Sequence, residues 1–238
     1  MVMRSLVVAL LSAAAFIAPG AGYTADAGML VEKVIEAYGG KSRLSAVAAI
    51  SAEGRITAFV RGDEGTYRRT LRRDGSLFVD IVYRRSSERR ILQSNKGYRG
   101  TGGKIEQVSG PRLQAMVYQY NELDLPYGLL DGSCSATELR GDTVNGDAVR
   151  VLRCTDRAGN RMEVFVNAEN YRIVKCEGIF AVGTESTSLS AEFGDFRTVD
   201  GVLLAFRIVN YAGDRKISVT TIDQYLINPS VDDALFRP

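Results

Sequence analysis

The chain contains no histidine. That absence removes the commonest general base, metal ligand and neutral-pH proton switch together. Ser-His-Asp and Cys-His catalysis are excluded, as are histidine-containing zinc sites. Cysteine is scarce, and Cys134, Cys154 and Cys176 are too dispersed for zinc-finger spacing. No Gly-x-Ser-x-Gly occurs. Gly100-Thr101-Gly102-Gly103-Lys104 resembles part of a phosphate loop, but Tyr98 stands where the motif needs glycine and Ile105 where it needs Ser or Thr. It reads as a Gly-rich hairpin turn. These residues predict no metal, no cofactor and no enzyme. Net charge is nearly absent too, at +2, so the whole molecule has no electrostatic pull toward nucleic acid.

Long apolar runs are missing except at the start. Residues 1–4 form a short basic segment, and residues 6–18 are apolar but shorter than a membrane span needs. Ala25-Asp26-Ala27 fits a small-residue cleavage site, with Gly20-Ala21-Gly22 as a second option. Residues 1–27 therefore read as a cleaved secretory signal peptide, leaving residues 28–238 as one exported domain. No cysteine follows the apolar segment directly, so attachment of lipid to a mature N-terminal cysteine is not expected.

Residues 27–38 carry the clearest helical pattern. Leu30, Val31, Val34, Ile35 and Tyr38 share one face, and Gly39-Gly40 ends it. Residues 41–47 add a short turn. From residue 49 the apolar period becomes two, with strand-like runs at about 49–61, 66–73, 77–84, 88–94 and 105–109. Residues 111–121 interrupt the meander as a second helix opened by Pro111, with Leu113, Met116, Val117 and Tyr120 on one face. An apolar loop follows over 123–130. Strands resume at about 134–141, 148–155, 161–167, 171–179, 185–193, 202–210 and 215–227. Asp200-Gly201 and Ala212-Gly213-Asp214 are hairpin turns, Asn228-Pro229 stops the last strand, and the Asp232-Asp233 pair caps a closing turn.

The pattern predicts a mainly β protein: a curved antiparallel sheet of about eleven strands, covered by helical lid elements. A sheet this long curls rather than lying flat. Several strands are apolar on both faces, so the helices have to cover one of them. An incompletely closed half-barrel then encloses an apolar cavity. A transmembrane barrel fits poorly, because arginines occupy both faces of the 66–73 strand.

Two further features need placing. Around the 144–146 turn, Cys134 and Cys154 fall near opposite one another, while Cys176 lies two strand spacings from Cys154, about 9–10 Å. A Cys134–Cys154 disulfide with Cys176 a buried thiol is expected, and three reduced core thiols are the alternative. Arginines crowd three consecutive strands, with Arg69 and Arg73 on the face opposite Arg68 and Arg72. Arg69, Arg73, Arg84 and Arg89 are candidates for a basic mouth that meets a headgroup or an acidic partner. Pairing with Glu64, Asp80 or Glu88 on solvated strand faces is the plainer reading.

Ala37-Tyr38-Gly39-Gly40 followed by residues 50–54, the block 165–173, and the closing hairpin with its Asn-Pro and Leu235-Phe236 resemble the periplasmic lipoprotein-carrier (LolA-like) family. The resemblance implies an unclosed barrel with a helical lid, no catalysis, and acyl chains of lipids or lipoproteins as cargo. It also implies a periplasmic location, an inner- or outer-membrane protein partner and no nucleic acid. Candidate cavity residues are Val34, Tyr38, Leu113, Met116, Val117 and Tyr120 from the helices, with Ile81, Tyr83, Phe206 and Ile208 from the sheet. A structural or protein-interaction module whose cavity is filled by its own side chains is the competing reading.

Overall fold

Strand order follows from where the chain crosses itself. In the computed structural model, which describes residues 25–182 and 185–238, helix α1 (Ala25–Ala37) and the short α2 (Lys41–Ser45) precede six strands laid side by side. These are β1 (Ala49–Ala58), β2 (Asp63–Arg72), β3 (Ser76–Tyr83), β4 (Ser87–Gln93), β5 (Lys96–Thr101) and β6 (Lys104–Val108). Helices α3 (Gly110–Leu123) and α4 (Tyr127–Asp131) then carry the chain across. Seven strands return: β7 (Cys134–Val144), β8 (Asp147–Asp156), β9 (Arg161–Asn167), β10 (Ile173–Val182), β11 (Glu185–Val199), β12 (Val202–Ala212) and β13 (Arg215–Ile227). The second run pairs inward until β13 meets β1, so one sheet of 13 strands runs β6-β5-β4-β3-β2-β1-β13-β12-β11-β10-β9-β8-β7.

Every pairing is antiparallel. The consecutive strands β6 and β7 therefore lie at opposite edges, and the connection between them has to span the concave face. The lid is a consequence of topology.

Thirteen strands form where about eleven are expected. The one with no counterpart among the twelve strand-like runs read in the sequence is β5, whose residues read as turns around Gly97 and Gly100. The reason is tertiary. A Cβ at Gly97 would come within 2.8 Å of Leu113 Cδ1 and 3.1 Å of Met116 Sδ, so glycine lets those α3 side chains settle on the strand. The expected signal peptide lies outside the described residues except for its last three positions. Among the described residues, no helix is long and apolar enough to cross a membrane.

Residues of odd number in β2 and β3 face inward: Tyr67, Arg69, Leu71, Leu77, Val79, Ile81 and Tyr83 are all buried. The main core joins these, Arg69 apart, to Leu30 and Val34 of α1, to Tyr38 just beyond it, and to α3 and the second half of the sheet. A smaller cluster sits on the convex face, where Phe236 of a closing turn (Asp233–Phe236) packs on Phe78 and Ile91. Asp232 caps that turn as expected, its Oδ1 accepting from Ala234 N at 2.8 Å.

The Asn228-Pro229 stop does more than end a strand. Asn228 has φ 51°, and its Oδ1 accepts from Ala48 N and Ala49 N at 2.7 and 3.2 Å. Its Nδ2 donates to Ala46 O at 2.8 Å. One side chain thus ties the end of the last strand to the start of the first. Asn228→Ala is expected to cost about 2 kcal/mol in urea unfolding, from orphaned backbone groups and a left-handed backbone without Asn. Loss of less than about 0.5 kcal/mol would mean water replaces the clasp.

The expected Cys134–Cys154 disulfide is not formed, and all three cysteines are buried as thiols. Cys134 stands opposite Asp156 and Cys154 opposite Ala136, so the pair lies two positions out of register. A hydrogen bond with Cys134, together with burial, pushes the Cys154 thiol well up.

Candidate ligand-binding cavity

Helix α3 is a strut between the two arms of the sheet. On one side Leu113 and Met116 sit over Gly97. Tyr120 donates its hydroxyl to Arg72 O (3.4 Å) and accepts from Gly75 N (3.2 Å). On the other, the Tyr118 ring meets Phe180 edge-on at 5.3 Å. A Cβ at Gly178 would come within 2.8 Å of that ring, so glycine lets the helix approach β10. Asn121 donates its side-chain amide to Asp156, at the end of β8, at 2.8 Å.

Arg73 fastens the end of the crossover. Its guanidinium donates to Tyr127 O at 3.3 Å and Val47 O at 3.5 Å, pairs with Asp124 at 3.4 Å and with Asp131, and lies 5.1 Å over the Tyr127 ring. Burial pushes the Asp124 carboxyl up to about 7, against the pull of Arg73.

Two small chambers remain beneath α3. One, of about 60 Å³, is walled by Tyr38, Leu71, Leu123, Phe193, Phe196 and Leu204. The other, of about 160 Å³, is walled by Ile56, Tyr67, Ile81, Ala115 and Leu189. Arg69, Glu122, Leu123 and Ile208 border both. At one water per ~10–15 Å³ of such volume, the first holds a handful of waters. An acyl chain therefore requires the crossover to lift. Outside the strut lies a polar cleft of about 770 Å³, bordered by Arg73, Asp74, Tyr120, Asp131 and Asp156.

Of the sequence candidates, Tyr38, Ile81 and Ile208 line the chambers and Tyr120 lines the outer cleft. Val34, Tyr83 and Met116 are buried core, with Leu113 and Val117 packed partly against it. Phe206 is buried beside Tyr225, ring centroids 5.0 Å apart. The helix presents a different face to the chambers than its apolar stripe suggests: Ala115, Tyr118, Gln119, Glu122 and Leu123.

The arginines do not assemble into one basic mouth. Arg84 is exposed and pairs with Glu64 at 3.2 Å. Arg89 pairs with Asp80 at 3.1 Å and covers Phe78 on the convex face. Arg73 holds the crossover, and Arg69 is interior, 7% exposed. Glu88, which Arg61, Arg90 and Arg99 surround, stays below the usual carboxylate range; burial acts upward, but the arginine charges outweigh it.

No protein-family profile matches the chain, and no curated protein sequence does. Solved structures match the fold. A domain described as an outer membrane lipoprotein-sorting protein from Vibrio parahaemolyticus superposes with TM-score 0.57 at 12% identity, covering 87% of this chain and 95% of its own. A LolA superfamily protein from Nitrosomonas europaea gives 0.56 at 16%, covering 89% and 97%. A DUF1329 family protein from Desulfovibrio piger gives 0.58 at 11%, covering 88% and 96%. The chain has the LolA-like fold, an open sheet crossed by a helical lid.

Proposed function

We propose that this protein is a non-enzymatic periplasmic carrier or sensor. It takes acyl chains of lipids or lipoproteins beneath the α3–α4 crossover, and it is exported by a signal peptide within residues 1–27. Ala27 is fully buried in the α1 packing, which favours cleavage at the earlier of the two candidate sites. The carrying observation is the crossover itself: a helix strung between sheet arms by side-chain contacts, over an apolar interior interrupted by chambers. Burial of each CH₂ there contributes about 0.8 kcal/mol. A membrane protein that donates or receives the cargo completes the reading.

The small volumes of the two chambers favour a second reading, a protein-interaction module with a self-filled interior. Mass spectrometry of organic extracts from protein purified without detergent separates the two. Stoichiometric lipid or acylated peptide, lost in Leu204→Asp, is the expected result. Protein that arrives lipid-free and takes up no added diacyl lipopeptide points to the interaction module.

A further inference from the structure

The partition between the two chambers carries buried polar atoms without hydrogen-bond partners. Arg69 is 7% exposed. Its Nη2 donates to the Tyr225 hydroxyl at 3.0 Å, which in turn donates to Ala205 O at 2.6 Å. Its Nη1 has no partner, and among the described residues Arg69 makes no ion pair. Across the first chamber, the Tyr127 hydroxyl is also unpartnered, on a residue 1% exposed. Glu122 Oε2 is unpartnered as well, on a residue 7% exposed.

A guanidinium does not discharge by losing its proton. An uncompensated one in the interior is therefore strongly unfavourable unless something arrives to pair with it. Glu122 is the nearest candidate, yet burial pushes it up to about 8, so it is mostly neutral at pH 7 and offers a further donor. An N–H, a phenolic O–H and a carboxylic O–H then face one small apolar-walled space. A carboxylate, with two oxygens in one plane, can accept from all three, and the first chamber, about 60 Å³, is too small for a bulky headgroup.

Resting on the carrier reading, we infer that Arg69, Tyr127 and Glu122 form a receptor for a carboxylate, and that the preferred cargo is a long-chain carboxylic acid seated head-inward. The chain runs from the partition along Leu123, Phe193, Leu203 and Leu204. An ester or amide head lacks the charge that Arg69 requires. Its chain still gains the apolar burial but forfeits the charge-assisted bond.

Calorimetric titration of the delipidated protein with myristate, methyl myristate and myristyl phosphate, each below its aggregation limit, tests this. Myristate is expected to bind at least tenfold tighter than either other ligand. Arg69→Met is expected to bring myristate down to the level of the ester while leaving ester binding within about threefold. Tyr127→Phe, which keeps the ring, is expected to narrow the preference severalfold, so the test stands if Arg69→Met fails to fold. Equal binding of acid and ester by the unaltered protein overturns the carboxylate receptor and leaves the carrier reading intact. Tighter binding of the phosphate also overturns it. Binding of none of the three overturns both.

Discussion

Arg73→Met is expected to destabilise the protein by about 3 kcal/mol in urea unfolding. It should also raise hydrogen exchange across residues 120–131 by at least tenfold. The pair with exposed Asp131 contributes little, because that carboxylate is 45% exposed and solvent screens it. The weight lies with Asp124, whose side chain is 10% exposed against 14% for Arg73. Removing Arg73 takes away the cation that offsets the burial of the Asp124 carboxyl. Asp124 then holds its proton to still higher pH, since Arg73 is the group that opposes its burial. Two backbone carbonyls, of Tyr127 and Val47, lose their donor as well. If the variant unfolds within about 0.5 kcal/mol of the parent, the crossover is held by packing alone. Arg73 would then not be its fastener.

The second large effect is with pH. Stability is expected to fall as pH rises from about 4.5 to 8. Burial pushes Glu122 to about 8 and Asp124 to about 7. In the unfolded chain both ionise near pH 4. Between those values the folded state binds more protons than the unfolded one, so the slope of stability against pH is negative. The contribution is fully present below about pH 4 and lost once pH passes 8.

The groups facing Glu122 are Arg69 from β2, Arg90 from β4 and Tyr118 from α3, and all three favour its ionised form less strongly than burial opposes it. Cys176 of β10 senses the Glu122 charge too. Asp124 is faced by Arg73, which lowers it, and by Asp131, which raises it. Glu88 slopes the opposite way, but only below about pH 4.5. At about 1.4 kcal/mol per pH unit, Glu122 alone changes stability on the order of 4 kcal/mol over this window. Glu122→Gln is expected to recover most of that at pH 8 and to flatten the curve. Urea unfolding at pH 5, 6.5 and 8 measures it. A flat profile in the unaltered protein would mean that Glu122 is ionised in the fold.

Much of the architecture is legible in the sequence because it is local. The α1 stripe, the Gly-Asp and Asp-Gly hairpins and the Asn228 stop each carry their own signal. Pleat alternation also places Arg69 and Arg73 opposite Arg68 and Arg72, as the structure has them, although nothing local says which face is concave. What escapes is set by contacts distant in sequence. In β5, Gly97 lies beneath Leu113 and Met116 of α3 and Gly100 against the Lys104 carbonyl of β6, so neither glycine marks a turn. On α3, Leu113-Met116-Val117-Tyr120 and Ala115-Tyr118-Gln119-Glu122 have the same helical spacing, offset by two residues. Hydrophobicity selects the first series, and the interior partition uses the second. A buried glutamate and an unpaired buried arginine are what burial rules exclude, so a polar interior site leaves almost no trace in composition. Its one sign is arginine on an otherwise apolar face, at Arg69 between Tyr67 and Leu71.

On the carrier reading, an acyl chain lies beneath the crossover. Photocrosslinking of the detergent-free protein with a lipopeptide carrying diazirine-labelled palmitoyl chains tests it most directly, with the sites mapped by mass spectrometry. Adducts at Leu123, Leu203, Leu204 and Phe193 are the predicted result, suppressed by excess unlabelled lipopeptide. Adducts confined to the outer surface of α1 and α4, around Ile35 and Leu130, or to the convex face would contradict it.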